Sequence, residues 1–213
     1  MPQELLERTL VFNPYIPQLP TERQIAFLQL ECLDALYGGS GGGGKSSALL
    51  MAALQYADLV PGYAALIVRR NFTDLKLPGG LLDRAHDWLK GKAHYNAQEH
   101  RWRFKSGATL QFGYADKEGD ETRYHGAEFQ GIFLDEAVQF TEKQIKFFFE
   151  RLRRRTEIPV PLRMRLGTTP GGVSHEFLKR RYIDPGTPGK VFVPARVADN
   201  PQDRKSTRLN SSH

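Results

Sequence analysis

The sequence predicts a three-layer α/β sandwich built on a mainly parallel sheet, with an added β-hairpin. Three observations carry that reading. A glycine-rich turn at residues 38–44 separates a short apolar run from a longer apolar stretch without proline. Further all-apolar runs are bounded by turn residues, as in strands covered on both faces. Strand-like and helix-like segments alternate, and such an order requires right-handed crossovers between parallel strands.

Taken in order, Pro20 and Thr21 give a helix start, and Glu22, Arg23, Gln24, Ile25, Phe27, Leu28 and Leu30 continue it as an amphipathic helix. Ala35, Leu36 and Tyr37 form the apolar part of a short strand, which six glycines and one serine interrupt. Residues 45–58 carry Ala48, Leu49, Leu50, Met51, Ala53 and Leu54 and read as a buried helix closed by Pro61 and Gly62. Ala64-Ala-Leu-Ile-Val68 reads as a buried strand. Between residues 93 and 114, Trp102, Phe104, Leu110 and Phe112 alternate around Ser106-Gly107, predicting an antiparallel hairpin. Gly131-Ile-Phe-Leu-Asp135 is another buried strand, and Thr141 starts a helix expected to run to Arg153. Residues 162–166 alternate apolar side chains with Arg163 and Arg165 before Gly167, and Val191-Phe-Val193 is the last strand candidate.

Composition narrows the classes. With 213 residues, 40% hydrophobic and 25% charged, the chain fits one globular domain rather than a disordered, collagenous or coiled-coil protein. Its one cysteine, Cys32, has no internal partner, and no charged-then-apolar leader precedes the domain, so a reducing cytoplasm is the expected compartment. The apolar runs fall well short of the roughly 20 residues of a spanning helix, and no membrane association is expected. The net charge of +6 is compatible with a polyanionic partner without requiring one. Residues 203–213 lack apolar periodicity and resemble the in-frame translation of a sequencing-library adapter, so the natural domain is expected to occupy residues 1–202. Without Arg204, Lys205, Arg208 and Asp203 the count becomes 27 cations against 23 acids, or +4.

The chemistry lies in three segments. Gly39, Ser40, Gly41, Gly42, Gly43, Gly44, Lys45 and Ser46 satisfy G-x-x-x-x-G-K-[ST] between a strand and a helix, the context required of a phosphate-binding (Walker A) loop. Glycines let backbone N–H groups converge on phosphate oxygens, the helix N-terminus adds its positive pole, and Lys45 neutralises the β and γ charges. Ser46 is the expected magnesium ligand, with Ser47 beside it in the loop. The second segment is Ile132-Phe-Leu-Asp135-Glu136, an apolar strand ending in two acids. In a parallel sheet its carboxyl end lies beside the phosphate loop, where Asp135 serves the magnesium shell and Glu136 orients and deprotonates the attacking water. Alone, the two acids would read as solvated carboxylates before the next helix. The third is Gly167-Thr168-Thr169-Pro170-Gly171-Gly172, whose threonines follow a strand of the same sheet and could sense the γ-phosphate, although by composition it is also an ordinary tight turn.

Together, residues 38–47, 131–137, 167–172 and Asp199-Asn-Pro201 resemble, in that order, the ATPase domain of the large terminase subunit of tailed bacteriophages. The resemblance covers nearly all of residues 15–202. It implies a RecA-like P-loop fold and an Mg2+-dependent, ATP-hydrolysing motor in the cytoplasm of the infected host. That motor moves double-stranded DNA, regardless of sequence, into an empty capsid. It works as a homo-oligomeric ring at the portal, with the small terminase subunit as a further partner. It also implies that Thr168 and Thr169 couple hydrolysis to movement and that Gln24 contacts adenine. Two departures matter. The family often carries an arginine inside the loop, whereas residues 40–43 offer none; Arg69 and Arg70, after the second strand, are candidates to supply that charge, as is a neighbouring subunit. The family's C-terminal RNase H-like nuclease would begin past residue 202, and no DNA cutting is expected of this polypeptide.

Other features carry less. Lys143, Lys146, Arg151, Arg153, Arg154 and Arg155 would make a basic helix end, explained either by the helix dipole or by phosphate contacts to DNA. Phe147-Phe148-Phe149 reads as core, Cys32 as a small buried hydrophobe, and the scattered histidines lack metal-ligand spacing. Two rival functions share the motifs: a helicase-like or repair ATPase, and a nucleotide-binding assembly module without turnover.

Overall fold

The computed structural model describes residues 3–196 and Asp199; the anticipated adapter-like tail lies outside these. In chain order the elements are α1 (Gln3–Leu10), α2 (Glu22–Leu28), β1 (Asp34–Gly39), α3 (Lys45–Leu54), β2 (Ala64–Arg69), α4 (Phe72–Lys76), α5 (Leu81–Leu89), β3 (His94–Asn96), β4 (Arg101–Arg103) and β5 (Thr109–Tyr114). They continue with β6 (Gly131–Asp135), α6 (Glu142–Phe149), β7 (Arg163–Thr168), α7 (His175–Tyr182) and β8 (Lys190–Ala195). All eight strands form one sheet, ordered β3-β4-β5-β2-β6-β7-β1-β8. From β5 to β8 every pairing is parallel, while β3 and β4 pair antiparallel with each other and with β5. The expected hairpin is therefore present, but its last strand also enters the parallel sheet beside β2.

Local chemistry explains the element starts. Thr21 and Thr141 each form a capping box, accepting from the backbone N–H of the residue three further on, Gln24 or Gln144, whose side chain accepts from the threonine N–H. Two apolar layers sandwich the sheet. On one face α3, buried almost throughout, packs with Phe27, Ile67, Trp88 and Phe133; on the other, α6 and α7 bring Phe148, Leu178 and Tyr182 against Leu66, Leu134 and Leu166. Among the described residues, no helix is long and apolar enough to cross a membrane.

Two readings of the sequence, the helix limit and Cys32, are corrected, and the alternation at residues 162–166 is explained. The helix after Thr141 ends at Phe149, so Arg151, Arg153, Arg154 and Arg155 lie beyond it; there the chain turns to pair with Phe129 through main-chain bonds of Arg151 and Arg153. The arginines of that alternation, Arg163 and Arg165, do not face solvent. Both are buried in β7, donating to the carbonyls of Leu28, Leu30, Cys32 and Leu33 and to Gln55, so that they tie the segment after α2 to the sheet. Burial and the neighbouring Arg163 hold the Arg165 guanidinium down to about 10. Cys32 is half-buried rather than fully enclosed.

Candidate nucleotide site

In a parallel sheet the strand ends carrying C-terminal residues converge on one edge, and here that edge collects all three motifs. Between β1 and α3 the chain makes the glycine turn. At Gly39, with φ of 141°, a Cβ would sit 2.0 Å from the Ala195 carbonyl oxygen of β8, so only glycine permits the β1–β8 contact. Gly44, with φ of 71°, precedes α3 without a side-chain cap, leaving the first-turn N–H groups of α3 directed at the cleft. Gln24 reaches the same point and donates from Nε2 to the Gly44 carbonyl at 3.0 Å. Gly41 differs from both: a Cβ there meets nothing within 4 Å.

A cleft of about 420 Å³ opens over this loop, lined by residues from Gly41 to Ser47 together with Thr21, Gln24, Arg84, Glu136 and Thr169. Lys45 is buried and curls back, donating to the carbonyl of Ser40 at 2.6 Å. Burial pushes its pKa below the usual lysine value, against the opposing pull of Glu136 and Asp135. Ser46 Oγ donates to Asp135 Oδ1 at 3.2 Å, which joins the first turn of α3 to the end of β6. Asp135 is 1% exposed, and burial raises its pKa although Arg69 pulls the other way.

Glu136 follows with φ 52° and ψ 53°, a left-handed conformation that costs a non-glycine residue about 1 kcal/mol or more. Its carboxylate is held by Thr169, whose backbone N–H and hydroxyl donate to Oε2 at 3.2 and 2.8 Å. Thr168 accepts from the Val138 N–H at 3.2 Å. The end of β7 and the turn after it are thus bonded to the turn after β6 at Glu136 and at Val138.

The arginines foreseen for charge neutralisation are placed otherwise than the loop. Arg69 donates to Asp135 Oδ2 at 2.8 Å and lies 3.5 Å from Asp74. Arg70 donates to the Gln139 carbonyl at 3.0 Å and lies 3.5 Å from Asp116. The arginine that does line the cleft is Arg84 on α5, which sequence reading missed because no motif surrounds it.

The profile of the family described as large terminase subunit, T4likevirus-type, N-terminal, matches residues 36–178. The chain belongs to this terminase family. Solved structures agree in fold: the large terminase of a thermophilic bacteriophage in complex with ATP-gamma-S (TM-score 0.68, 12% identity, 90% of this chain and 48% of that one), the large terminase ATPase domain of Thermus phage P74-26 (0.67, 12%, 94% and 90%), and the HK97 bacteriophage large terminase (0.64, 12%, 96% and 52%). The terminase-family chain therefore has the expected RecA-like fold and spans about half the length of the first and third of these proteins. No curated protein matches it in sequence.

Proposed function

We propose that this chain is the ATP-hydrolysing motor part of a large terminase, driving double-stranded DNA into a procapsid. The observation that carries the reading is the convergence of Lys45, the Ser46–Asp135 pair and the Thr169-held Glu136 on one cleft of nucleotide size. Lys45 and the first-turn amides of α3 bind the phosphates, Lys45 exchanging its loop carbonyl for phosphate oxygen. The hydroxyl of Ser46 and the carboxylate of Asp135 are hard oxygen donors suited to Mg2+. Among the described residues no three or more His, Cys, Asp or Glu side chains cluster to hold a metal, and phosphate oxygens are ligands Mg2+ commonly takes beside one or two protein oxygens. When bound, the ion neutralises charge on the β- and γ-phosphates.

Glu136 accepts the proton of the attacking water, and Thr169 sets its direction; with Thr168 the turn relays changes at Glu136 into α7. Gln24, anchored on Gly44, sits on the nucleoside side. The reading includes assembly as a ring at the portal with the small subunit, in the host cytoplasm, on DNA of any sequence.

Phosphate release from ATP with Mg2+, measured with and without linear duplex DNA, tests it. Hydrolysis should fall by about 10²- to 10³-fold in Glu136→Gln while ATP binding persists. Tight ATP binding without turnover in the unaltered chain would instead establish a nucleotide-gated assembly module.

A further inference from the structure

The cleft has two cationic side chains on its walls, Lys45 from the loop and Arg84 from α5. Arg84 is positioned by a well-anchored helix: Leu81, Leu82, Ala85, Trp88 and Leu89 are buried, and Asp83 caps the preceding turn through the Gly79 N–H at 2.8 Å. Its Nη1 donates to Ser47 Oγ, and its Nη2 to the Gly79 carbonyl at 3.4 Å. Ser47 is the third residue of α3, so the guanidinium sits beside the positive pole of that helix, where a cation is repelled.

Other arginines in contact with this edge are neutralised, Arg69 by Asp135 and Asp74 and Arg70 by Asp116; among the described residues Arg84 makes no ion pair with a carboxylate. A cation fixed against a helix N-terminus, without a counter-charge and facing a cleft, is an arrangement that an anion relieves on both counts.

The register around α3 says which part of the ligand Arg84 meets. Ser46 is bonded to Asp135, and Glu136 and Thr169 stand on that side. Ser47, about 100° further round the helix, is bonded to Arg84. The hydrolytic carboxylates and Arg84 therefore flank different sides of the helix terminus. We propose that Arg84 is a phosphate-binding residue acting within its own subunit, holding the phosphates that ATP and ADP share rather than the one transferred. It supplies from α5 the second positive charge that residues 40–43 lack. The inference rests on the nucleotide-site reading above.

Calorimetric affinities for ADP and ATP-gamma-S, together with thermal midpoints, test it in the unaltered chain, Arg84→Ala, Arg84→Lys and Lys45→Ala. Arg84→Ala should weaken both ligands to a similar extent, by about tenfold or more, with partial recovery in Arg84→Lys and an unchanged midpoint without ligand. Its midpoint rise with ADP should shrink accordingly. ADP affinity within about twofold of the unaltered chain would overturn the proposal, as would a loss confined to ATP-gamma-S, which would put Arg84 on the γ-phosphate. A lowered midpoint without ligand, with affinities kept, would make Arg84 structural and overturn it too. If the unaltered chain binds neither nucleotide, the site reading itself fails, an outcome distinct from the others.

Discussion

Two buried aspartates at opposite ends of the sheet are each 1% exposed, yet they are partnered very differently. Asp34 begins β1, and its carboxylate accepts from Arg181 at 2.7 and 3.2 Å, from Lys190 at 2.9 Å and from the Tyr182 hydroxyl. Asp135 ends β6 and has two partners, Ser46 and Arg69. Around Asp34 both carboxylate oxygens are bonded, and the cluster clasps α7 and β8 onto β1. Around Asp135 and the cleft the groups are under-committed: burial raises the Asp135 pKa, Lys45 leans on its own loop, Glu136 is backbone-strained, and Arg84 has no carboxylate partner among the described residues. One end of the sheet is finished as a structure, whereas the other, on the proposed function, is completed by a ligand.

The largest expected effect breaks the finished end. Asp34→Ala leaves two partly buried cations and a buried phenol without their acceptor and should cost about 3 kcal/mol, on the order of 10 °C in thermal midpoint. Asp135→Asn, at an equally buried position, keeps an amide oxygen for Ser46 and Arg69 and should change stability by less than about 1 kcal/mol, while on the proposed function it abolishes hydrolysis. Equal midpoint losses for the two variants in parallel thermal melts would erase the contrast.

A smaller effect belongs to Gly41, whose Cβ would project into open space. Gly41→Ala should melt at the same temperature as the unaltered chain but bind ADP several-fold more weakly by calorimetry, since the methyl fills room left for phosphate. The smallest is a pH effect on Lys45. Burial favours its neutral form in the free protein, and bound phosphate favours the charged form, so binding takes up a proton once pH exceeds the lowered lysine pKa. ADP affinity should be flat near neutrality and begin to fall at a lower alkaline pH than an ordinary lysine would give. A flat profile through that region would show that Lys45 does not meet the phosphates.

Much of the site was legible in the sequence because its signals are local. Residues 39–46 must be contiguous to form a phosphate loop, and the apolar run ending in Asp135-Glu136, weak alone, gains its meaning from that loop. Strands covered on both faces, such as β2 and β6, are apolar throughout and bounded by turn residues, and their limits were read within one residue. The 141–153 helix was read too long because its apolar and basic residues continue past Phe149, where pairing with Phe129 takes over the backbone.

By itself the sequence determined the sandwich class and the places of the glycine loop and the two acids, because each depends on neighbours a few residues apart. Only the tertiary structure decided the roles that depend on long-range neighbours. Arg163 and Arg165 turned inward because carbonyls from the segment after α2 were there to receive them. Arg69 went to Asp135, 66 residues away, and Arg84 reached Ser47 across 37 residues. An arginine looks the same in a sequence wherever it stands; what it does is set by the acceptor that packing brings within about 3 Å.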